Sequence, residues 1–212
     1  MPELQFFNPF ADIQQSENRL PHWQQRGAVY FVTFRLADSI PSHLLRDWSR
    51  ERDTWIGLHP QPWAATTERE YHTRFSGRIE ELLDSGYGSC VLGRSACAAV
   101  VDRALGHFEG QRISRISSIV MPNHVHVLFV QNAESSLQKI LQSWKSYSAR
   151  MINPMVGNEM PLWQRDYFDR LVRDSRHFAN CVRYIRRNPA KANLTAGEYV
   201  LYESDVARGI ED

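Results

Sequence analysis

The segment RISRISSIVMPNHVHVLFV, residues 112–130, constrains the fold of this chain more than any other stretch. Residues 112–120 alternate between apolar and polar side chains, and 124–130 form an apolar run, so each is predicted to be a β-strand. The Met-Pro-Asn between them is typical of a tight turn. The sequence therefore predicts an antiparallel hairpin whose second strand places His124 and His126 in an otherwise apolar setting.

Strand and helix patterns elsewhere predict the rest of the fold. GAVYFVTFRL, at 27–36, is rich in β-branched and aromatic residues and is predicted to be the first strand. Apolar residues at helical spacing predict helices over 42–56, 67–84, 95–108 with Ser95 as N-cap, 135–152 with a serine cap, and 174–188 with Asp174 as cap and Pro189 as stop. Residues 162–173 are expected to include a short strand, and 197–204 either an edge strand or a surface segment.

This order of elements predicts an α+β fold. Strand, helices, two strands, helix, strand and helix suit a ferredoxin-like antiparallel sheet with helices on one face. The helices between about 40 and 108 are too many for that topology alone, so some are expected to be an insertion.

Composition excludes several classes of protein. No apolar stretch approaches the ~18 residues that span a bilayer, so no membrane association is expected. The three cysteines are odd in number and form no Cys-x-x-Cys pair, which argues against a disulfide framework or a zinc cluster and favours a cytoplasmic location.

Positive charge is concentrated in one part of the chain. Residues 143–191 hold ten basic and four acidic residues, a net charge of +6, although the whole chain carries only +1. Arginine dominates this set, and its guanidinium suits bidentate contact with phosphate. A solvated helix surface is the alternative explanation.

The two histidines are predicted to point the same way. Side chains two residues apart lie on one face of a strand, so His124 and His126 form a ready pair of metal ligands. Taken alone, a His-x-His pattern is more often two polar residues on the solvated face of a half-buried sheet.

The segment MPNHVHVLF resembles the His-hydrophobic-His motif of the single-tyrosine HUH nucleases, specifically the REP-associated tyrosine transposases. Further stretches agree in order: RGAVYFVTFRL, SLQKILQSWKSYSA, LWQRDYFDRLVRD and HFANCVRYIRRNPAKANL. The resemblance runs from about residue 27 to 195 and predicts a catalytic domain there, with an N-terminal extension at 1–26 and a C-terminal tail at 196–212. It implies a ferredoxin-like sheet, a divalent ion on the two histidines, and a tyrosine that becomes joined to the 5′ phosphate of single-stranded DNA.

The resemblance also selects a nucleophile. In the family, the tyrosine and a third metal ligand lie four residues apart on the last core helix, and YIRRN places Tyr184 and Asn188 at that spacing. Tyr147 and Tyr167 have no metal-binding residue four positions on, so Tyr184 is favoured over Tyr167. Two imidazoles and one amide oxygen suit Mg²⁺ or Mn²⁺ better than a closed zinc site.

Basic side chains are expected to hold the DNA. Plain solvent exposure is the alternative for several of them. We expect the arginines of the last helix to neutralise phosphate and to lower the pKa of the tyrosine. The predicted DNA-binding residues are Lys145, Arg150, Arg183, Arg186, Arg187 and Lys191.

The leading hypothesis is a metal-dependent single-stranded DNA endonuclease and strand transferase that nicks hairpin, REP-type palindromic DNA through a 5′-phosphotyrosine. The alternatives are a domesticated protein that binds DNA hairpins without cutting them, and a hydrolase that uses water as nucleophile. The expected partner is single-stranded or hairpin DNA. A monomer is weakly favoured over a homodimer.

Overall fold

The fold is described from a computed structural model, over residues 4–8, 14–17, 21–60, 63–132, 136–157, 159 and 161–212. The strands are β1 (Gln14–Glu17), β2 (Pro21–Gln24), β3 (Val29–Arg35), β4 (Ile113–Val120), β5 (His124–Gln131), β6 (Phe168–Leu171) and β7 (Val200–Glu203). β1 and β2 pair with each other. The other five form one antiparallel sheet in the order β6-β3-β5-β4-β7, so the predicted α+β class, antiparallel sheet and 112–130 hairpin are confirmed.

The helices fall into two groups. α1, α2 and α3 come before the hairpin as an addition, and the others belong to the sheet. Their ranges are α1 (Ser42–Leu58), α2 (Ala65–Tyr71), α3 (Gly77–Asp84), α4 (Ser95–Gly106), α5 (Leu137–Val156), α6 (Ser175–Lys191) and α7 (Asp205–Arg208), with a π-helical turn at His72–Ser76 joining α2 to α3. The path β3-α4-β4-β5-α5-β6 with this strand order is the ferredoxin-like topology.

Helices cover both faces of the sheet. Apolar residues of α4 and α5, among them Leu105 and Trp144, share one core with Tyr30 and its neighbours on β3. The apolar stripe of α6 packs in a second core with Phe31, because successive residues of a strand point to opposite faces. The prediction of helices on one face is therefore right for α4 and α5 and wrong for α6, whose apolar side covers the opposite face.

The helices α1–α3 have a small core of their own. Trp48, Trp55, Phe75, Ile79 and Leu83 pack together there, and Phe168 of β6 contacts this cluster from the sheet. The Trp48 indole N–H donates to the Phe75 carbonyl at 3.1 Å, which holds α1 against the π-helical turn. This addition lies on the same sheet face as α6.

Three helix starts were predicted, and two are confirmed. Ser136 and Asp174 cap α5 and α6, each accepting a hydrogen bond from the backbone N–H three residues on. Ser95 is not the cap of α4; Arg94 occupies that position without a side-chain cap bond, and Ser95 is the first helical residue.

Pro189 was wrongly predicted to stop α6. The helix runs on to Lys191, so Pro189 lies in its last turn, and its missing N–H costs a single intrahelical bond there.

Among the described residues, no helix is long and apolar enough to cross a membrane. The segment 197–204, predicted to be an edge strand or a surface segment, contains the edge strand β7, which pairs with β4.

Candidate metal and nucleophile site

His124 and His126 lie on β5, the middle strand of the five, and both point toward α6. Each side chain is only 1% exposed, so the solvated-face alternative does not hold. Their Nε2 atoms are 3.0 Å apart, and the two rings meet edge to face. Two nitrogen atoms therefore converge on one buried point.

Asn123 fixes which nitrogen of His124 faces that point. The Asn123 amide nitrogen donates to the backbone carbonyls of Leu83 and Tyr87, at 3.0 and 3.3 Å. Its Oδ1 must therefore be the acceptor in the 2.7 Å contact with Nδ1 of His124. With the proton on Nδ1, the Nε2 of His124 presents a lone pair, as a metal ligand requires.

Thr33 contacts the equivalent nitrogen of His126 from the neighbouring strand. Its hydroxyl lies 2.7 Å from Nδ1 of His126, and β3 pairs Thr33 directly opposite His126. A hydroxyl donates or accepts by rotating, so this contact is compatible with a lone pair or a proton on Nε2. Burial lowers the pKa of His124 to about 3 and that of His126 well below its ordinary value, which keeps both rings neutral.

Tyr184 lies directly beside this pair. Its ring centroid is 5.1 Å from that of His126 and 5.8 Å from that of Phe31, edge-on in both cases. Tyr167 is buried in the core on the other face of the sheet, and Tyr147 is on α5 on that same far side. The tertiary structure thus places Tyr184, and neither of its rivals, against the histidines.

Asn188 lies one helical turn beyond Tyr184 on α6 and is 1% exposed. Its amide is next to the Tyr184 hydroxyl and lowers the pKa of that group slightly. Neither amide atom forms a well-directed hydrogen bond with any residue in the described part of the chain. A buried amide of this kind is costly unless something else binds it.

Acidic side chains of α3 set the charge around Tyr184. Burial raises the pKa of Tyr184 far above its ordinary value, and the carboxylates of Glu80 and Asp84 raise it further. The prediction that the α6 arginines lower this pKa is wrong, because none of them is among the groups that shift it. The guanidinium groups of Arg183 and Arg186 bond to the C-terminal segment instead. Arg170, on β6, supplies a small opposing effect.

Two of the predicted DNA-binding arginines are bonded to the C-terminal segment. Arg186 pairs with Glu203 at 3.0 Å and Asp212 at 2.8 Å and donates to two backbone carbonyls. Arg183 donates to the Glu211 carbonyl at 2.6 Å.

The remaining predicted DNA contacts lie on two sides of the molecule. Arg187 is exposed, and Lys191 pairs with Asp84 at 2.7 Å; both line a shallow pocket with Tyr184. Lys145 donates to backbone carbonyls near Gln164, and it sits with Arg150 on α5, on the far side of the sheet. The structure does not bring these last two to the histidines, so a role for them in DNA binding stays a prediction.

Four residues at the site were missed by sequence reasoning: Thr33, Glu80, Asp84 and Arg170. Thr33 belongs to a strand distant in sequence, and only the register of β3 against β5 reveals it. Glu80 and Asp84 do carry a weak signal, since residues four apart share one face of a helix. Nothing in the sequence says that this face meets α6.

The residues present fit a divalent ion. The two Nε2 atoms and the unpartnered amide of Asn188 offer nitrogen and oxygen donors in a buried setting. Within the described ranges, no cluster of three or more His, Cys, Asp or Glu side chains could hold a metal. The ligands beyond the histidines would therefore be an amide oxygen, water or phosphate.

One family of known proteins matches the segment that contains this site. Residues 106–188, which include β4, β5, α5, β6 and most of α6, match the family described as "Transposase IS200 like". The resemblance to IS200-like transposases is thus confirmed over the segment that carries the histidines, Tyr184 and Asn188. No curated protein matches the chain.

A solved structure described as "Structure of the REP associates tyrosine transposase bound to a REP hairpin" is also similar. The two share 13% sequence identity at a TM-score of 0.45, over 85% of this chain and 76% of the other.

Proposed function

We propose that this protein is a metal-dependent endonuclease and strand transferase of single-stranded DNA, and that it acts on hairpin-forming, REP-type palindromic strands. The observation that carries the proposal is the convergence of the two Nε2 atoms, 3.0 Å apart, beside the Tyr184 ring. The match of residues 106–188 to the IS200-like transposases supports a DNA transposase type of activity.

Tyr184 is the proposed nucleophile. Its Oη attacks the scissile phosphorus, an Oη–P bond forms, and the bond from phosphorus to the 3′ oxygen breaks. The phenol proton is lost, and the departing 3′ oxygen gains one and becomes a hydroxyl. The phosphodiester energy is kept in the 5′-phosphotyrosine, so a second 3′ hydroxyl can reverse the reaction and join strands.

His124, His126 and Asn188 would hold the ion, either Mg²⁺ or Mn²⁺. Bound there, it would polarise the scissile phosphate and offset the carboxylates that disfavour a phenolate. Asn123 and Thr33 keep the two imidazoles oriented toward that point.

A covalent adduct tests the proposal. Wild type, Tyr184→Phe and Tyr167→Phe are incubated with a 3′-labelled hairpin strand and Mn²⁺, then run on a denaturing gel. We expect a slow protein–DNA band in wild type and Tyr167→Phe and none in Tyr184→Phe. A band that survives in Tyr184→Phe and disappears in Tyr167→Phe overturns the assignment.

A non-cleaving hairpin-binding protein is the second candidate. The surroundings of Tyr184 favour it, because burial and the carboxylates of Glu80 and Asp84 raise the pKa of this phenol and disfavour the phenolate that would attack phosphorus. Hairpin binding without an adduct in any variant, at any Mn²⁺ concentration, would support the binder.

A further inference from the structure

A cavity of about 240 Å³ lies between the helices α1–α3 and the sheet, next to the candidate site. Its walls are unusually aromatic, and they include Phe31, Trp48, Trp63, Tyr71 and Phe168. Trp63 and Tyr71 are partly exposed, with ring centroids 4.8 Å apart, so the cavity opens between them and the sheet.

The cavity is continuous with the nucleophile. A second pocket, which contains Tyr184, shares Phe31, Glu80 and Arg170 with it. Arg170 lies at this junction, with its guanidinium 4.9 Å from the centre of the Phe31 ring and 3.9 Å from Glu80. A single groove therefore leads from Tyr184, past a cation, into an aromatic cavity.

The back of the cavity also touches the metal-ligand pair. Thr33, which lines the cavity, contacts Nδ1 of His126 through its hydroxyl. An occupant would thus lie one side chain away from the point on which the imidazoles converge.

We propose that this aromatic cavity seats one unstacked base of single-stranded DNA next to the phosphate that Tyr184 attacks. Three features of the cavity and its groove identify this occupant. Aromatic walls stack any base without regard to sequence. The volume is large enough for one base, and the groove carries a guanidinium, that of Arg170, between the cavity and Tyr184. The inference rests on the proposed function, because it takes the strand at Tyr184 as its starting point.

The first test is a matched pair of variants on α1. Ile56 lines the cavity and is 36% exposed, whereas Leu58, two residues on, is 72% exposed and does not line it. Ile56→Glu places a carboxylate at the cavity, and Leu58→Glu makes the same change of net charge outside it. We expect Ile56→Glu to weaken binding of a hairpin with single-stranded flanks at least tenfold more than Leu58→Glu does.

The second test identifies the occupant as a base. Wild type, Trp63→Ala and Trp63→Phe are titrated with a series of hairpins that carry one abasic site at successive flank positions. Loss of one stacked base costs about 5- to 150-fold in affinity. We expect one position where the abasic site weakens wild type and Trp63→Phe by such a factor but leaves Trp63→Ala unchanged.

The outcomes separate this inference from the proposed function. The base cavity alone is overturned by three results together. Wild type forms an adduct at Tyr184, the two glutamate variants bind equally well, and no abasic position affects wild type and Trp63→Ala differently. If one abasic position does depend on Trp63 but no adduct forms, the strand-transferase proposal is overturned and the base cavity stands. Absence of binding to every hairpin in wild type overturns the cavity as well. If a thermal unfolding experiment shows that Trp63→Ala does not fold, the comparison of Ile56→Glu with Leu58→Glu tests the base cavity by itself.

Discussion

Two short polar side chains, Thr33 and Asn123, hold the Nδ1 atoms of the two imidazoles. Asn123 holds the proton of His124 on Nδ1 through a single oriented amide, and Thr33 contacts the equivalent nitrogen of His126. Partners of this kind set the tautomer and the ring angle of a metal-binding histidine. At the scale of a residue, the site depends on groups that would never touch an ion themselves.

Thr33→Val tests this dependence. The change keeps the shape of the side chain but removes the hydroxyl, so Nδ1 of His126 loses its partner. We expect Mn²⁺ affinity, measured by titration calorimetry, to fall by about 10- to 100-fold. Thr54→Val, on an exposed turn of α1, is the control and should bind as wild type does. Equal affinities for the two variants would show that the contact has no part in metal binding.

The helix α6 carries both Tyr184 and Asn188, so its start matters for the site. Asp174 accepts a hydrogen bond from the His177 N–H at 2.7 Å and satisfies one of the free donors of the first turn. Its carboxylate also lies at the positive end of the helix dipole.

Asp174→Ala should lower the free energy of unfolding by about 1 kcal/mol. Asp174→Asn retains an oxygen acceptor at the cap and should lose much less. Urea unfolding followed by circular dichroism measures both. A loss as large in the asparagine variant as in the alanine variant would mean that the carboxylate charge, and not the cap bond, stabilises α6.

Adjacent arginines of α6 have different surroundings, and this separates stability from DNA binding. Arg186 is embedded in bonds to Glu203, Asp212 and two carbonyls. Arg187, the next residue, is exposed beside Tyr184. Helical geometry alone turns neighbouring residues by about 100°.

Arg186→Ala should destabilise the protein by about 1–2 kcal/mol, since it leaves two carboxylates and two carbonyls without their donor. Arg187→Ala should leave stability unchanged. It should reduce the slope of log K against log salt for hairpin binding by about 0.7 to 0.9, the value for one phosphate contact. Thermal unfolding and binding at several salt concentrations check the pair. The reverse pattern would place the DNA surface on Arg186.

At the scale of the whole molecule, the site is complete within one chain. α6 packs on the same sheet that carries the histidines, so Tyr184 and His126 meet without a partner subunit. We propose on this ground that the protein acts as a monomer, because the histidines and the tyrosine that meet at the site all belong to one chain.

Mixing two inactive variants tests this directly. His124→Ala lacks one of the proposed metal ligands, and Tyr184→Phe lacks the proposed nucleophile. If each site is built from one chain, an equimolar mixture should form no covalent adduct with a hairpin strand. Recovery of the band on mixing would demonstrate a site shared between two chains, and light scattering on the same samples would give a mass above 24.6 kDa.

Much of the fold was predictable because its signals are local. Alternation over 112–120, the apolar run over 124–130 and the Met-Pro-Asn turn determine the hairpin, since a strand has a period of two wherever it lies. The spacing of Tyr184 and Asn188 places them on one helix face for an equally local reason. The cap at Asp174 needs only its own first turn.

What depends on pairing between distant segments was decided only by the tertiary structure. The sequence does not say that α6 covers the face opposite α4 and α5, because its apolar stripe is compatible with either. The contact of Thr33 with His126 depends on the register of β3 against β5. The raised pKa of Tyr184 depends first on the burial of its ring and then on where α3 carries Glu80. Periodicity encodes which side of an element is apolar, whereas the partner of that side is selected by how all the elements pack together.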